Sequence, residues 1–210
     1  MRSPVDSRNA LHDLARFVLA ADLEGTTELV TLRVSPGGFG QPERLVESLQ
    51  RRVRVDGTQL VVQHGENEVW VPITTLTAAA SFVGVTLPDD APTPADTLSI
   101  DALDAATLAE FFASVDVALA EVRRRHSSDQ PTIAQLFPHH FDLAITVREV
   151  NIGGSPGDAD HDRPYVYVGP WNLSPHAMWN ESWGASLPWT RATTVEEMID
   201  FFEAGFTATV

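Results

Sequence analysis

The sequence contains neither cysteine nor lysine, and the two absences exclude several kinds of chemistry. Without cysteine the chain cannot form disulfides, use a thiolate nucleophile, or bind zinc or iron–sulfur clusters through sulfur. Without lysine it cannot form a Schiff base or build a phosphate-binding P-loop, because both need a lysine amine. All 14 basic residues are therefore arginine.

Long apolar segments and positive charge are also scarce. No apolar run approaches the roughly 20 residues that a membrane span needs, and residues 1–6 lack the apolar core of a signal peptide. We expect a cytoplasmic protein. Its formal net charge of −15 would repel nucleic-acid phosphates and anionic lipids, so we expect neither as a partner. The oligomeric state is left open.

Hydrophobic periodicity predicts an α+β fold in which helices pack on an antiparallel sheet. Apolar segments at 52–55 and 59–63 flank Asp56-Gly57, a strong hairpin signal because these residues tolerate positive φ. Further strands are expected at 29–34, 69–71, 143–150 and 165–169. Helices are expected near residues 9–21, 73–83, 104–125 and 194–204.

Local signals suggest where these elements begin and end. Asn9 is a candidate N-cap for the first helix, and Gly84 is a plausible left-handed terminator of the second. The spacing of Thr194 and Glu197 predicts a capping box, with Gly205 closing the last helix. Residues 38–40, Gly-Phe-Gly, are interpreted as a turn. One apolar stripe marks the third helix: Leu108, Phe111, Phe112, Val115, Leu119 and Val122.

The chain is expected to form a single α+β domain over residues 1–210, with a subdivision into 1–85 and 100–210 left open. The Pro-, Asp- and Thr-rich residues 86–99 would then be the linker. Ser-Pro-Gly occurs at both 35–37 and 155–157, and each half runs from strand to a helix ended by glycine. This weak repeat would place two similar halves about a pseudo-two-fold axis.

Residues 137–184 gather four of the seven histidines and both tyrosines, together with several tryptophans. Large aromatics beside convergent polar groups are what a recognition site needs, so we expect the function here. Four pieces of this block resemble, in order and spacing, an uncharacterised and mainly actinobacterial family: Pro138-His-His-Phe-Asp142, residues 151–158, residues 164–171, and Trp179-Asn180 with Gly184-Ala185. The resemblance implies a site over 137–185 and no particular reaction.

A hairpin of strands 143–150 and 165–169 would leave a long loop at 151–164, and long loops are often functional. This geometry would bring residues after the second strand back toward His140. The predicted site then combines His140 and Asp142, as general base and orienting group, with a set of ligand-binding residues: Trp171, Asn172, His176, Trp179, Asn180 and Asp158. The alternative is that His140 and Asp142 only stabilise the start of the strand.

Two groups of side chains are candidate ligands for a divalent metal. The first comprises His139, His140 and Asp142; the second comprises Asp158, Asp160 and His161. The second group lacks the full pattern of a calcium loop, and a solvated acidic loop with Asx-turns is the favoured interpretation of it.

Two classes of function remain open. One is a small-molecule-binding protein, or an enzyme, with a pocket lined by His, Asp and Trp of residues 137–184. The other is a non-catalytic interaction module that uses the tryptophan-rich segment 171–189. A concave pocket with the histidine and aspartate at its floor favours the first class, and an exposed tryptophan-bearing patch favours the second. The sequence does not decide whether the protein is an enzyme.

Overall fold

The computed structural model describes residues 4–23, 30–46, 48–92 and 96–209. Helices combine with two antiparallel sheets in an α+β fold, as predicted. The chain divides into two compact units. The first comprises Met1–Glu110 and Phe137–Phe141, and the second comprises Phe111–Leu136 and Asp142–Val210. The domain boundaries and the two-fold relation between similar halves stay predictions.

The described chain begins with α1 and two short helical turns, and strands and further helices follow. The elements before the second unit are α1 (Pro4–Leu14), a π-helical turn (Ala15–Leu19), a 3-10 turn (Ala21–Leu23), β1 (Arg33–Ser35), β2 (Gly38–Gly40), β3 (Arg44–Val46), β4 (Leu49–Asp56), β5 (Gln59–His64), β6 (Asn67–Pro72) and α2 (Leu76–Val83). They are followed by α3 (Ala102–Arg125), a 3-10 turn (Ser127–Asp129), β7 (Gln135–Phe137), β8 (Asp142–Val147), β9 (Val150–Ser155), β10 (Tyr165–Pro170), β11 (Ala185–Pro188) and α4 (Val195–Ala208).

The sheet of the first unit has the strand order β1-β2-β4-β5-β6, with β3 also paired to β4. The predicted hairpin at Asp56-Gly57 is confirmed, and Gly57 has the expected positive φ. The predicted strand at 29–34 is shifted: β1 begins at Arg33, and residue 29 lies outside the described residues. The turn predicted at 38–40 is wrong, because these residues form β2 with Phe39 fully buried.

The helices of the first unit show where cap signals succeed and fail. Thr75 caps α2 by accepting a hydrogen bond from Ala78 N, and Gly84 ends it in the left-handed region, as predicted. The Asn9 cap is wrong, since α1 already begins at Pro4; proline is well suited to a first turn, where its missing N–H costs nothing. Phe141 is buried with a positive φ, edge-on to Phe39.

The second unit is a five-stranded sheet in the order β11-β10-β9-β8-β7. The strand predicted at 143–150 is wrong as one element, and so is its pairing with 165–169. Arg148 and Glu149 both have positive φ and turn the chain into β9, which lies between β8 and β10. Paired positive φ values make the type of turn that suits a two-residue hairpin, normally with Asn or Gly. Neither residue type is present at 148 or 149, so these two residues do not predict the turn.

Residues 111–125 of α3 and helix α4 lie on one face of this sheet. The whole predicted stripe of α3 is buried, from Leu108 to Val122, and burying each such side chain contributes roughly 1.5–3 kcal/mol. The predicted capping box of α4 is present, with both reciprocal hydrogen bonds between Thr194 and Glu197. Gly205 does not end α4, which continues to Ala208. A Cβ there would lie 2.6 Å from Val168 Cγ1, so the glycine lets α4 approach β10 closely.

Candidate functional site

The face of the second unit's sheet opposite α3 and α4 carries most of its polar chemistry. Gly154 points to α3, since a Cβ there would lie 2.8 Å from both Phe111 Cζ and Val115 Cγ2. Side chains alternate along a strand, so the residues next to Gly154 point the other way. We call this second side the helix-free face, because it points away from α3 and α4. Registration between the strands places the following residues on it: Asp142, Ala144, Thr146, Asn151, Gly153, Ser155, Tyr165, Tyr167, Gly169 and Ser186.

Two tyrosines on β10 each donate a hydrogen bond to an aspartate. Tyr167 donates to Asp142 Oδ2, and Tyr165 donates to Asp158 Oδ2 at 2.6 Å. Burial raises the pKa of both phenols, and the neighbouring carboxylates raise it further. Both tyrosines therefore stay protonated and act as donors.

Asp158 also organises the loop that follows β9. Its Oδ1 accepts hydrogen bonds from Asp160 N and His161 N, each 2.8 Å long. This is the Asx-turn that the sequence offered as its alternative to a metal loop. Burial opposes ionisation of Asp158, but the bonds from Tyr165 and from the loop outweigh it and lower the pKa of the carboxyl group.

His161 lies between two carboxylates. Its Nδ1 is 3.3 Å from Asp158 Oδ1 and its Nε2 is 3.0 Å from Glu181 Oε1. Ser186 on β11 donates a 2.7 Å hydrogen bond to the same Glu181 oxygen. The bond to Glu181 is the main reason that the pKa of His161 is raised, while the bonds from Ser186 and His161 lower the pKa of Glu181. We call Asp158, His161, Glu181 and Ser186 the histidine bridge.

Asn180 fixes the far end of this bridge to the sheet. Its side-chain amide donates to Ser186 O at 2.9 Å, and its Oδ1 accepts from Ser186 N at 2.8 Å. An asparagine side chain thus pairs with the backbone of β11 as a further strand would. Asn180, predicted as a ligand-binding residue, has a structural role of its own.

Two exposed tryptophans lie near the end of β10, on the helix-free face. Trp171 is 63% exposed and Trp183 is 39% exposed. Trp171 Nε1 donates to Asn151 Oδ1 at 3.2 Å, and the Trp183 ring stands edge-on to Tyr167 with centroids 6.1 Å apart. Gly169 lies between them, with Trp183 Cε3 about 4.0 Å from where its Cβ would be. We call Asn151, Gly169, Trp171 and Trp183 the tryptophan surface.

The segment after Trp171 forms an exposed, irregular turn. Trp179 Nε1 donates to Ser174 O at 2.7 Å, and His176 Nδ1 accepts from Met178 N at 3.1 Å. His176 and Asn172 are exposed. Trp179 and His176, two of the predicted ligand-binding residues, therefore make local hydrogen bonds within this segment.

The predicted His140 and Asp142 pair falls on the division of the chain. His139 and His140 are exposed in the turn before Phe141, within the first unit, whereas Asp142 belongs to the second. The cavity that these two residues were expected to share with Trp171 or Trp179 stays a prediction. In the part of the chain that the structure describes, no group of three or more His, Asp and Glu side chains is arranged to hold a metal ion.

Sequence reasoning missed Tyr165, Tyr167, Glu181 and Ser186. The two tyrosines carried a usable signal, since their i, i+2 spacing on a strand places them on one face. Glu181 and Ser186 carried none. Glu181 lies 20 residues from His161 along the chain, and only the folded sheet brings them together.

No protein-family model, no curated protein and no solved structure matches this chain. Among the described residues, none of the helices has the length and apolarity that crossing a membrane requires. The side chains of the site are therefore the observations that bear on function.

Proposed function

We propose that the second unit is a non-catalytic recognition module that binds a partner protein through the tryptophan surface. The supporting observation is that Trp171 and Trp183 are 63% and 39% exposed on a chain of net charge −15. Exposed apolar patches rimmed by polar groups mark interaction sites. Tryptophan is also among the residues that contribute most to binding energy at interfaces.

The tryptophan surface is held in place before any partner arrives. Asn151 Oδ1 accepts hydrogen bonds from both Trp171 Nε1 and Thr146 Oγ1, the latter at 2.8 Å. Trp183 rests against the edge of Tyr167, whose hydroxyl is in turn bound to Asp142. A side chain that is already ordered loses less entropy on binding, so this arrangement favours recognition.

Charge supports a basic partner. Glu149 lies at the turn beside this surface, is exposed, and accepts a backbone hydrogen bond from Trp171 N. An acidic protein attracts cationic partners over a distance and repels nucleic acid and anionic lipid. Arginine side chains also stack favourably on tryptophan rings. The occupant we propose is therefore an arginine-containing segment of another protein.

The test uses two synthetic peptide libraries, one with arginine-containing peptides and one in which glutamate replaces each arginine. Binding to the full chain is measured by fluorescence anisotropy at low and at physiological salt. We expect selected arginine peptides to bind and to weaken with salt. Trp171→Ala should weaken the affinity for these peptides by about tenfold or more, because a central tryptophan contributes much of the binding energy of an interface.

Trp70→Ala is the matched control, because Trp70 is 57% exposed on β6 of the first unit. It should leave peptide binding unchanged. The proposal is wrong if no arginine peptide binds, or if Trp70→Ala weakens binding as much as Trp171→Ala does.

A second candidate function is small-molecule binding at the part of the helix-free face that carries the two tyrosines. The observation that favours it is the convergence of Tyr165, Tyr167, Asp142 and Asp158 there. A ligand of this kind would raise the melting temperature of the native protein. In a thermal-shift screen of metabolites, its effect should survive Trp171→Ala and disappear in Asp158→Asn. Membership of the actinobacterial family stays a proposal, supported by the order of the four sequence pieces over 137–185.

A further inference from the structure

We propose that protonation of His161 holds Trp183 in place on the tryptophan surface, so that the histidine bridge sets this surface according to pH. The consequence for partner binding rests on the function proposed above. The coupling between His161 and Trp183 does not, because it is a property of the free protein.

Each nitrogen of the His161 ring lies within hydrogen-bonding distance of a carboxylate oxygen. Nδ1 faces Asp158 Oδ1 and Nε2 faces Glu181 Oε1, and both ring nitrogens can donate only when the imidazole is charged. A neutral ring keeps one N–H and can serve one carboxylate. Loss of the proton therefore removes the ring's hydrogen bond to Asp158 or its hydrogen bond to Glu181, and it removes the positive charge that strengthens both.

Glu181 is tied to Trp183 through a tight turn. Glu181 N donates to Gly184 O at 3.0 Å, and Gly184 N donates back to Glu181 O at 3.4 Å. Gly184 has a φ of +150°, and a Cβ there would lie 2.0 Å from Val168 O, so only glycine brings the turn this close to β10. Trp183 lies inside this turn. When the Glu181 carboxylate is released from His161, the first residue of the turn moves, and Trp183 moves with it.

Within the described residues, titratable groups from at least three elements face the imidazole. Asp158 belongs to the loop after β9, Glu181 to the turn before β11, and Tyr165 to β10, with its ring centroid 4.5 Å from that of His161. The Glu181 bond raises the pKa of His161 above its usual value of 6.5. A raised histidine pKa means that the bridge is complete below that pKa and is lost as the pH rises through it.

The experiment is a pH titration of the full chain followed by NMR, with no partner present. Ring signals of carbon-13-labelled histidine report the protonation of His161, and fluorotryptophan signals report each indole, with Trp183 assigned from Trp183→Phe. We expect the Trp183 signal to shift with the same midpoint as His161, above pH 6.5. In Glu181→Gln the pKa of His161 should fall and the Trp183 step should move with it or disappear.

His176→Gln is the matched control, because His176 is an exposed histidine of the neighbouring segment whose ring faces Trp179. It should leave the Trp183 step in place. His161→Gln is a second variant, which removes the titrating ring and should abolish the step. The proposal is overturned if Trp183 is unaffected while His161 titrates, or if Glu181→Gln leaves the pKa of His161 and the step unchanged.

The two proposals fail in different ways. If arginine peptides do not bind but Trp183 still follows His161, the partner is wrong and the coupling stands. If peptides bind through Trp171 but Trp183 ignores the pH, the coupling is wrong and the module stands. If both hold, peptide affinity falls as the pH rises through the pKa of His161.

Discussion

Tyr167 on β10 donates a hydrogen bond to Asp142 on β8, across the intervening strand β9. The residue of β9 opposite Tyr167 is Gly153, which has no side chain to stand between the phenol and the carboxylate. A Cβ at Gly153 would lie 2.3 Å from Leu143 O. One glycine thus permits two strands that are not neighbours to be joined by a side-chain hydrogen bond.

Removal of the Tyr167 hydroxyl should destabilise the second unit. Tyr167→Phe deprives Asp142 of this donor in a buried setting, and the expected loss of unfolding free energy is about 1–3 kcal/mol. Tyr165→Phe is the comparison, because Asp158 is more open to water, which can replace the lost donor. Urea unfolding of both variants checks the order. Equal losses would show that burial of the carboxylate is not what matters.

A methyl group at Gly154 should be costly, whereas one at Gly169 should not. The added Cβ of Gly154→Ala would lie 2.8 Å from Phe111 and Val115 of α3, and overpacking of this kind costs typically about 1–3 kcal/mol. Gly169→Ala meets no atom closer than 3.9 Å. Thermal and chemical unfolding measure both. A neutral Gly154→Ala would mean that α3 does not pack on β9 as described.

Loss of the α4 capping box should reduce stability. Thr194→Ala removes the acceptor of Glu197 N and a partner of the Glu197 side chain, and N-cap losses cost about 0.5–2 kcal/mol. Thr207→Ala serves as the control, since the Thr207 hydroxyl only donates to Glu203 O on the same exposed helix surface. Its stability should stay close to that of the wild type. Denaturant midpoints of the two variants provide the measurement.

His12 should make the first unit less stable under mild acid. Its ring stacks on Phe141 with centroids 5.1 Å apart, its Nε2 lies 3.0 Å from Pro138 O, and burial lowers the pKa of the imidazole. A lowered pKa means that the unfolded chain takes up the proton first, so stability falls as the pH drops below about 6.5.

The measurement compares wild type with His12→Gln by urea unfolding at several pH values. The difference between the two isolates His12 from the other histidines, including His161, whose raised pKa acts in the opposite direction. The wild type should lose stability relative to the variant as the pH falls. A constant difference across the range would show that His12 titrates normally.

The sequence by itself determined the elements whose signals are local. Asp56-Gly57 produces its hairpin and Thr194 with Glu197 its capping box, and the stripe of α3 is buried as its 3.6-residue period requires. Each of these patterns depends on residues that are close together in the sequence. Their physical causes, which are positive φ, unsatisfied helix N–H groups and apolar periodicity, can be read without knowing the rest of the fold.

Only the tertiary structure decided the turn at Arg148 and Glu149, and with it the place of β9. Nothing in these two residue types demands positive φ, so the sheet imposes it through the pairing of β8 with β9. The candidate site followed the same rule. His161 and Glu181 meet because residues 180 and 181 lie alongside Ser186 of β11, which pairs with Tyr167 of β10, and a contact made in this way leaves no trace in local spacing. Short-range conformational preference depends on neighbouring residues, whereas the partner of a charged side chain is selected by the packing of the whole sheet.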